Sequence, residues 1–154
     1  MYDALTIARY IVNYSNKEGF GVTNLKLQKL LYFVQAAFLK IYGKPCFKED
    51  MQAWTLGPVI PSVYHEFKRY GNMDIPTVSE YEGPEYDFSG EKTPYDDSVI
   101  QQRHKETINF IVELFKNYAA STMISITHSQ NGWKNAYQRN RNNPIKLEDL
   151  GDVF

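Results

Sequence analysis

Between Thr23 and Gly43 the apolar positions repeat at helical spacing on two faces at once. At about 100° per residue, Leu27, Leu30, Leu31, Val34, Phe38 and Ile41 share one face, while Leu25, Tyr32, Ala36 and Leu39 share a second. A helix that is apolar on two sides packs on two sides, so the segment from about 24 to 42 is predicted to be the centre of the fold. Thr23 stands where an N-cap is needed and Gly43 where a stop is needed. Between the two faces Lys26, Lys29 and Lys40 fall on a narrow stripe with Phe33, which is expected to be the solvent or partner side. Gln28 and Gln35 fall on the opposite stripe.

Other segments organise around this one. Ala4, Ile7, Ala8 and Ile11 predict a first helix capped by Asp3 and ending near Tyr14, with Tyr2 and Ile7 placed as a hydrophobic staple. A polar turn with two glycines follows over Asn16 to Gly21. After Gly43, prolines 45, 58 and 61 interrupt regular structure, and short strands are expected near 46–55. Pro61 suits the first turn of a short helix that presents Val63, Tyr64, Phe67 and Tyr70 on one side and ends at Gly71. Ser98 with Gln101 has the spacing of a capping box for a helix carrying Ile100, His104, Thr107, Ile108, Ile111, Leu114, Phe115 and Tyr118. Ser121 is expected to cap a further helix to about His128, followed by a helical turn over Trp133 to Tyr137 and a last turn over Leu147 to Val153. The pattern predicts a mainly α fold, a compact single-domain bundle over residues 1–154 around the 24–42 helix, with short strands near 46–55 and 80–88.

Charge changes this picture in one respect. The formal net charge is −1, which gives no global attraction to polyanions, but the charges are segregated. Residues 72–98 hold eight acids and one lysine, Lys92, and form an acidic connector, whereas Leu114 to Leu147 holds five lysines or arginines and no acid. The hydrophobic content of 43%, with twelve Tyr and nine Phe, excludes a disordered chain and implies amphipathic aromatics near the surface. Cys46 is the sole cysteine, so no internal disulfide forms and a reducing compartment is the natural home. The start of the chain lacks the basic and apolar regions of a secretory signal, and the apolar run from Leu30 to Leu39 is too short to cross a bilayer. A cytoplasmic protein with no membrane partner is expected.

Candidate chemistry is thin. His65, His104 and His128 lie on three predicted elements without metal-ligand spacing, and Cys46 has no base near it in sequence, so no metal, cofactor or catalytic residue is expected. An enzyme would have to use His128 or His65 as a base. The glycines of 19–23 lack the spacing and preceding strand of a phosphate loop and read as a turn. Direct nucleic-acid binding by the lysine stripe and the basic tail, with Trp133 and Tyr137 interleaved, is opposed by a pI near 6.3 and by the acidic connector. What remains is the run from Trp54 through Gly57 and Pro58 to Pro61, followed by Tyr64, His65, Phe67, Lys68 and Tyr70. Rigid aromatics beside cations are the residues with which proteins grip proteins, although Trp54 and Tyr64 are equally suited to sealing a core.

Three motifs in order, Lys26-Leu-Gln-Lys29-Leu-Leu-Tyr32, Ala53-Trp54-Thr-Leu-Gly57-Pro58-Val59 and Thr127-His128 to Trp133, together with Val63-Tyr64 to Lys68, resemble the Panacea antitoxin domain family, SocA-like and phage-associated GepA-like. The resemblance runs from about Tyr2 to about Tyr137. It implies a bacterial or phage non-enzymatic protein, the antitoxin of a type II toxin–antitoxin system, which neutralises a neighbour-encoded toxin by direct binding. One branch of the family resembles a proteolytic adaptor that delivers its toxin to a protease, and a nucleic-acid-binding regulator is the remaining alternative. The motif positions carry over to Lys29, Trp54, Gly57, Pro58, Tyr64, Lys68, His128 and Trp133. With Lys26 of the exposed stripe, these are the expected partner-binding residues.

Overall fold

The structure is a computed structural model that describes residues 1–82 and 91–154. Its helices are α1 (Ala4–Lys17), α2 (Asn24–Tyr42), α3 (Pro61–Phe67), α4 (Gln102–Leu114), α5 (Ala120–His128) and α6 (Asn131–Ala136). Two antiparallel hairpins interrupt them: β1 (Gln52–Trp54) with β2 (Gly57–Val59), and β3 (Glu80–Glu82) with β4 (Lys92–Pro94). Short 3-10 turns cover Lys68–Tyr70 and Leu147–Leu150. The mainly α architecture expected from periodicity is what forms. Both hairpins fall in or beside the expected strand regions, with 83–88 of the second lying outside the described residues.

The central position of α2 is confirmed, and it goes further than two faces. Helices α1, α3, α4, α5, strand β2 and the Leu147–Leu150 turn all pack on it, and every residue from Leu27 to Phe38 is buried. Being enclosed on all sides overturns the expected exposed stripe: Lys29 is 0% and Phe33 2% accessible, Lys26 is half-buried, and Lys40 alone of the stripe is exposed. Phe33 stacks on Phe115 beyond the end of α4, with ring centres 4.4 Å apart.

Enclosure forces the polar side chains of α2 to find partners inside the protein, because a buried unpaired polar group is costly. Gln35 solves this by clamping the loop before β1. Its Oε1 accepts from the backbone N–H of Cys46 (2.7 Å) and of Phe47 (3.2 Å), and its Nε2 donates to the Phe47 carbonyl (3.0 Å). On the next stretch of the same helix, Gln28 Nε2 donates to Asn24 Oδ1 (2.9 Å), Gln28 Oε1 accepts from Ile60 N–H (2.9 Å), and Asn24 Nδ2 donates to the Tyr64 carbonyl (3.1 Å). These amides fasten α3 and its entry to α2.

Helix ends follow the expectations in part. Thr23 caps α2 through Lys26 N–H (3.3 Å), and Gly43 closes it in the left-handed conformation at φ 69°. Pro61 opens α3 as expected. Asp3 does occupy the N-cap position of α1, but its side chain pairs with Lys48 (2.8 Å), and the Ala4 N–H is taken by Glu49 instead. Helix α1 continues to Lys17, three residues past the expected end. The Ser98–Gln101 box does not form: Asp96 takes the Ser98 N–H (2.9 Å), and α4 starts at Gln102. Ser121 sits inside α5, whose N-cap is Ala119.

The acidic connector is strapped to α1 over its first part. Ile75 is buried and bonds Val22, Asn16 donates to the Ile75 carbonyl, and Asn13 both accepts from Val78 N–H (2.7 Å) and donates to its carbonyl (2.9 Å). Arg9 lies 3.6 Å over the Tyr81 ring, a cation–π contact that holds β3 to the same helix.

The Gln35 clamp gives a direct test. Gln35→Leu keeps the volume but strands two N–H groups and one carbonyl in the interior, so it is expected to cost about 3 kcal/mol. Urea denaturation should show a lower midpoint at an unchanged slope.

Candidate functional site

The three motifs meet at one place, the tip of the β1–β2 hairpin. The two residues between its strands are Thr55 and Leu56, and the carbonyls of Trp54, Thr55 and Pro58 at and beside this turn are met by side-chain nitrogens. Each nitrogen comes from a different part of the chain. Trp133 Nε1, on α6, donates to the Trp54 carbonyl (2.8 Å). His128 Nε2, at the end of α5, lies 2.9 Å from the Thr55 carbonyl, which as an acceptor requires the proton on Nε2. Lys29 Nζ, from the buried middle of α2, donates to the Pro58 carbonyl (2.9 Å).

Ring stacking locks these donors in position. His128 stacks on Trp133 (centres 4.0 Å, 29°), and Trp133 stacks on Tyr137 (4.4 Å, 16°), whose hydroxyl reaches Thr55 Oγ1 at 3.3 Å. On the other side, the Trp54 ring meets Tyr64 edge to face at 5.1 Å, and its Nε1 donates to Gln52 Oε1 (2.9 Å). Gly57 is required twice over. Its φ of +100° disfavours any side chain, and a Cβ there would come within 2.8 Å of Lys29 Cε and 2.9 Å of Thr127 Oγ1. Gly132 plays a spatial role only, letting α6 approach Leu150, Ile145 and Tyr32.

Of the expected partner-binding residues, the structure therefore brings together Lys29, Trp54, Gly57, Pro58, Tyr64, His128 and Trp133. Lys29, Gly57 and Pro58 are buried, while Trp54, Tyr64, His128 and Trp133 are half-buried. Lys68 stands apart on the exposed 3-10 turn after α3, and Lys26 reaches the Lys116 carbonyl (3.3 Å) beyond the end of α4. His65 is exposed on α3 against the Tyr64 ring. Among the described residues no group of three or more His, Cys, Asp or Glu is arranged to hold a metal ion. Residues at the site that were not among the expected partner-binding set are Thr127, packed on Gly57, Thr55 and Tyr137, which close the ring around the tip, and the amides Asn24 and Gln28, which hold α3 beneath it.

The profile of the family described as antitoxin SocA-like, Panacea domain, matches residues 27–134, well over half of the chain. The chain belongs to this family. The matched span includes Lys29, His128 and Trp133, whose side chains hold the hairpin tip. Antitoxin SocA of Caulobacter vibrioides (strain NA1000 / CB15N) is 38% identical over 69 residues, which cover 45% of this chain and 37% of that protein, so the similarity spans little more than a third of the relative's length. No solved structure matches the chain. No helix among the described residues is long and apolar enough to cross a membrane.

Lys29 has the most unusual electrostatics of the site. Burial, with no carboxylate to offset it, lowers its pKa from the ordinary 10.5 to about 7. The folded value lies below the unfolded one, so between about 7 and 10.5 the unfolded chain carries a proton that the folded chain lacks. Stability contributed by Lys29 is thus expected to rise with pH across that window, by roughly 4 to 5 kcal/mol in the limit. Below about 7 both states carry the charge, and the burial penalty stands in full. Urea unfolding of the wild type and Lys29→Met between pH 6.5 and 9.5 checks this, since titrations common to both proteins cancel: the wild-type midpoint should climb relative to that of the variant. Gly57→Ala should lower stability by more than about 2 kcal/mol, because strain at φ +100° adds to the clash with Lys29 and Thr127. A calorimetric melting curve measures that loss.

Proposed function

We propose that this chain is the antitoxin of a type II toxin–antitoxin pair and neutralises a toxin encoded beside it by covering that toxin directly. Membership of an antitoxin family and the similarity to antitoxin SocA support the role. The observation that supports the binding mode is the engagement of Lys29, His128 and Trp133 with hairpin carbonyls. Groups that would otherwise be candidates for bond-making chemistry hold a backbone in place, and what they hold outward is an apolar tip, with Leu56 53% exposed beside the half-buried Trp54 and Tyr64.

A loop fixed in this way loses little entropy when it is covered, which is how small rigid patches become binding hot spots. A standard interface of roughly 1,200–2,000 Å² centred on the tip would include Tyr64 and the turn after α5. Inhibition by such a complex is stoichiometric and requires no turnover.

Induced co-expression with each adjacent reading frame, scored for growth and then for co-purification, tests the reading. One neighbour should be toxic alone, harmless together with this chain and retained by it. Absence of any toxic neighbour, or neutralisation without a complex, would refute direct inhibition. A toxin half-life shortened by this chain would instead identify it as an adaptor for proteolysis.

A further inference from the structure

A groove of ≈ 330 Å³ runs beside the hairpin tip, lined by Leu25 of α2, Trp54, Leu56, Val59, Tyr64 and Asn142. Its walls are mainly apolar and preset. Trp54 is fixed by Tyr64 and Gln52, Val59 is buried in β2, and the tip carbonyls are held from behind. No acid lines it.

Exposed cations lie close to its lining residues along the chain. Arg141 immediately precedes the lining residue Asn142, and Arg139 and Arg141 are both exposed in a tight turn that the left-handed Asn140 (φ 63°) and the Arg141–Gln138 backbone bond define. Lys68 lies exposed one helical turn beyond Tyr64.

We propose that this groove receives a large apolar side chain from an acidic segment of the partner protein, with the arginines of the 138–141 turn and Lys68 meeting carboxylates on either side of that anchor. The proposal rests on the toxin-binding reading above and adds the chemistry of the toxin surface. An aromatic or leucine anchor matches the Trp54–Tyr64 walls, and its burial supplies affinity. The cationic rim selects acidic neighbours, steers association and rejects basic surfaces. Polyanionic nucleic acid would share the rim but has no use for a groove with Leu25, Leu56 and Val59 in its walls.

Panning a displayed library of random peptides against the full chain tests the groove without the toxin. Enriched peptides should carry Phe, Leu or Trp flanked by Asp or Glu. Binding of a synthetic representative should fall at least about tenfold with Leu56→Asp, and also with Arg139→Glu combined with Arg141→Glu, at unchanged melting temperature because these positions are exposed. Enrichment of neutral or basic peptides, no enrichment, or binding indifferent to both variants overturns the proposal. So does tight binding of a fluorescein-labelled single-stranded oligonucleotide at physiological salt that the arginine reversals abolish and Leu56→Asp does not. The same variants in the co-expression assay separate the two readings. If peptides bind as expected and no neighbour is toxic, the groove stands and the antitoxin role falls. If a toxic neighbour is neutralised equally well by every variant, the antitoxin role stands and the groove proposal falls.

Discussion

A lysine amine held in the middle of the protein against a single proline carbonyl is the constraint on which the rest of the structure depends. Lys29 is enclosed because α2 is enclosed, and it is tolerable there because it has a carbonyl to meet and can lose its proton at moderate cost. Meeting Pro58 sets how far the β1–β2 hairpin stands from the central helix. Gly57 then has to be glycine, since the Lys29 methylenes occupy the space a side chain would need. From that one contact follow the height of the tip, the reach required of Trp133 and His128, and the position of the groove between Trp54 and Tyr64.

The same helix fastens its surroundings through neutral amides rather than charges. Asn24, Gln28 and Gln35 each bond backbone groups of neighbouring segments, whereas the ion pairs among the described residues, such as Lys48–Asp3 and Lys92–Glu80, lie largely at the surface, where such pairs contribute little. Amide-to-backbone bonds are directional and insensitive to salt. They specify which loop lies where, while the apolar faces of α1, α2 and α4 supply most of the driving force.

Much of this was legible in the chain, and the errors have a common origin. The periodicity of 24–42 located the central helix, and Thr23, Gly43 and Pro61 marked ends that form as read. The misreading was to treat the lysine stripe as outward-facing. Periodicity reports which positions are apolar, but whether a polar position between two apolar faces meets water or another segment depends on how many elements pack on the helix, and that is a property of the whole fold. Four polar residues inside a helix with so little room for water, Asn24, Gln28, Lys29 and Gln35, were the available signal that loops would dock there. The caps failed for a related reason: Asp3 and Ser98 have competitors, Lys48 and Glu49 for one and Asp96 for the other, that lie close only after folding or bond more strongly. At the site, seven of the nine expected residues come together, yet their meeting around three carbonyls was invisible, since the donors come from positions 29, 128 and 133.

That spread of donors along the chain has a kinetic consequence. The hairpin is made early in synthesis, but two of its three fixing bonds wait for α5 and α6, some seventy residues later in the chain. Contacts of such long range close late in folding. A nascent or truncated chain therefore displays a loose, unlocked version of the tip. The formed tip is presented only once α6 has been made, which ties the shape of this surface to synthesis through at least residue 136.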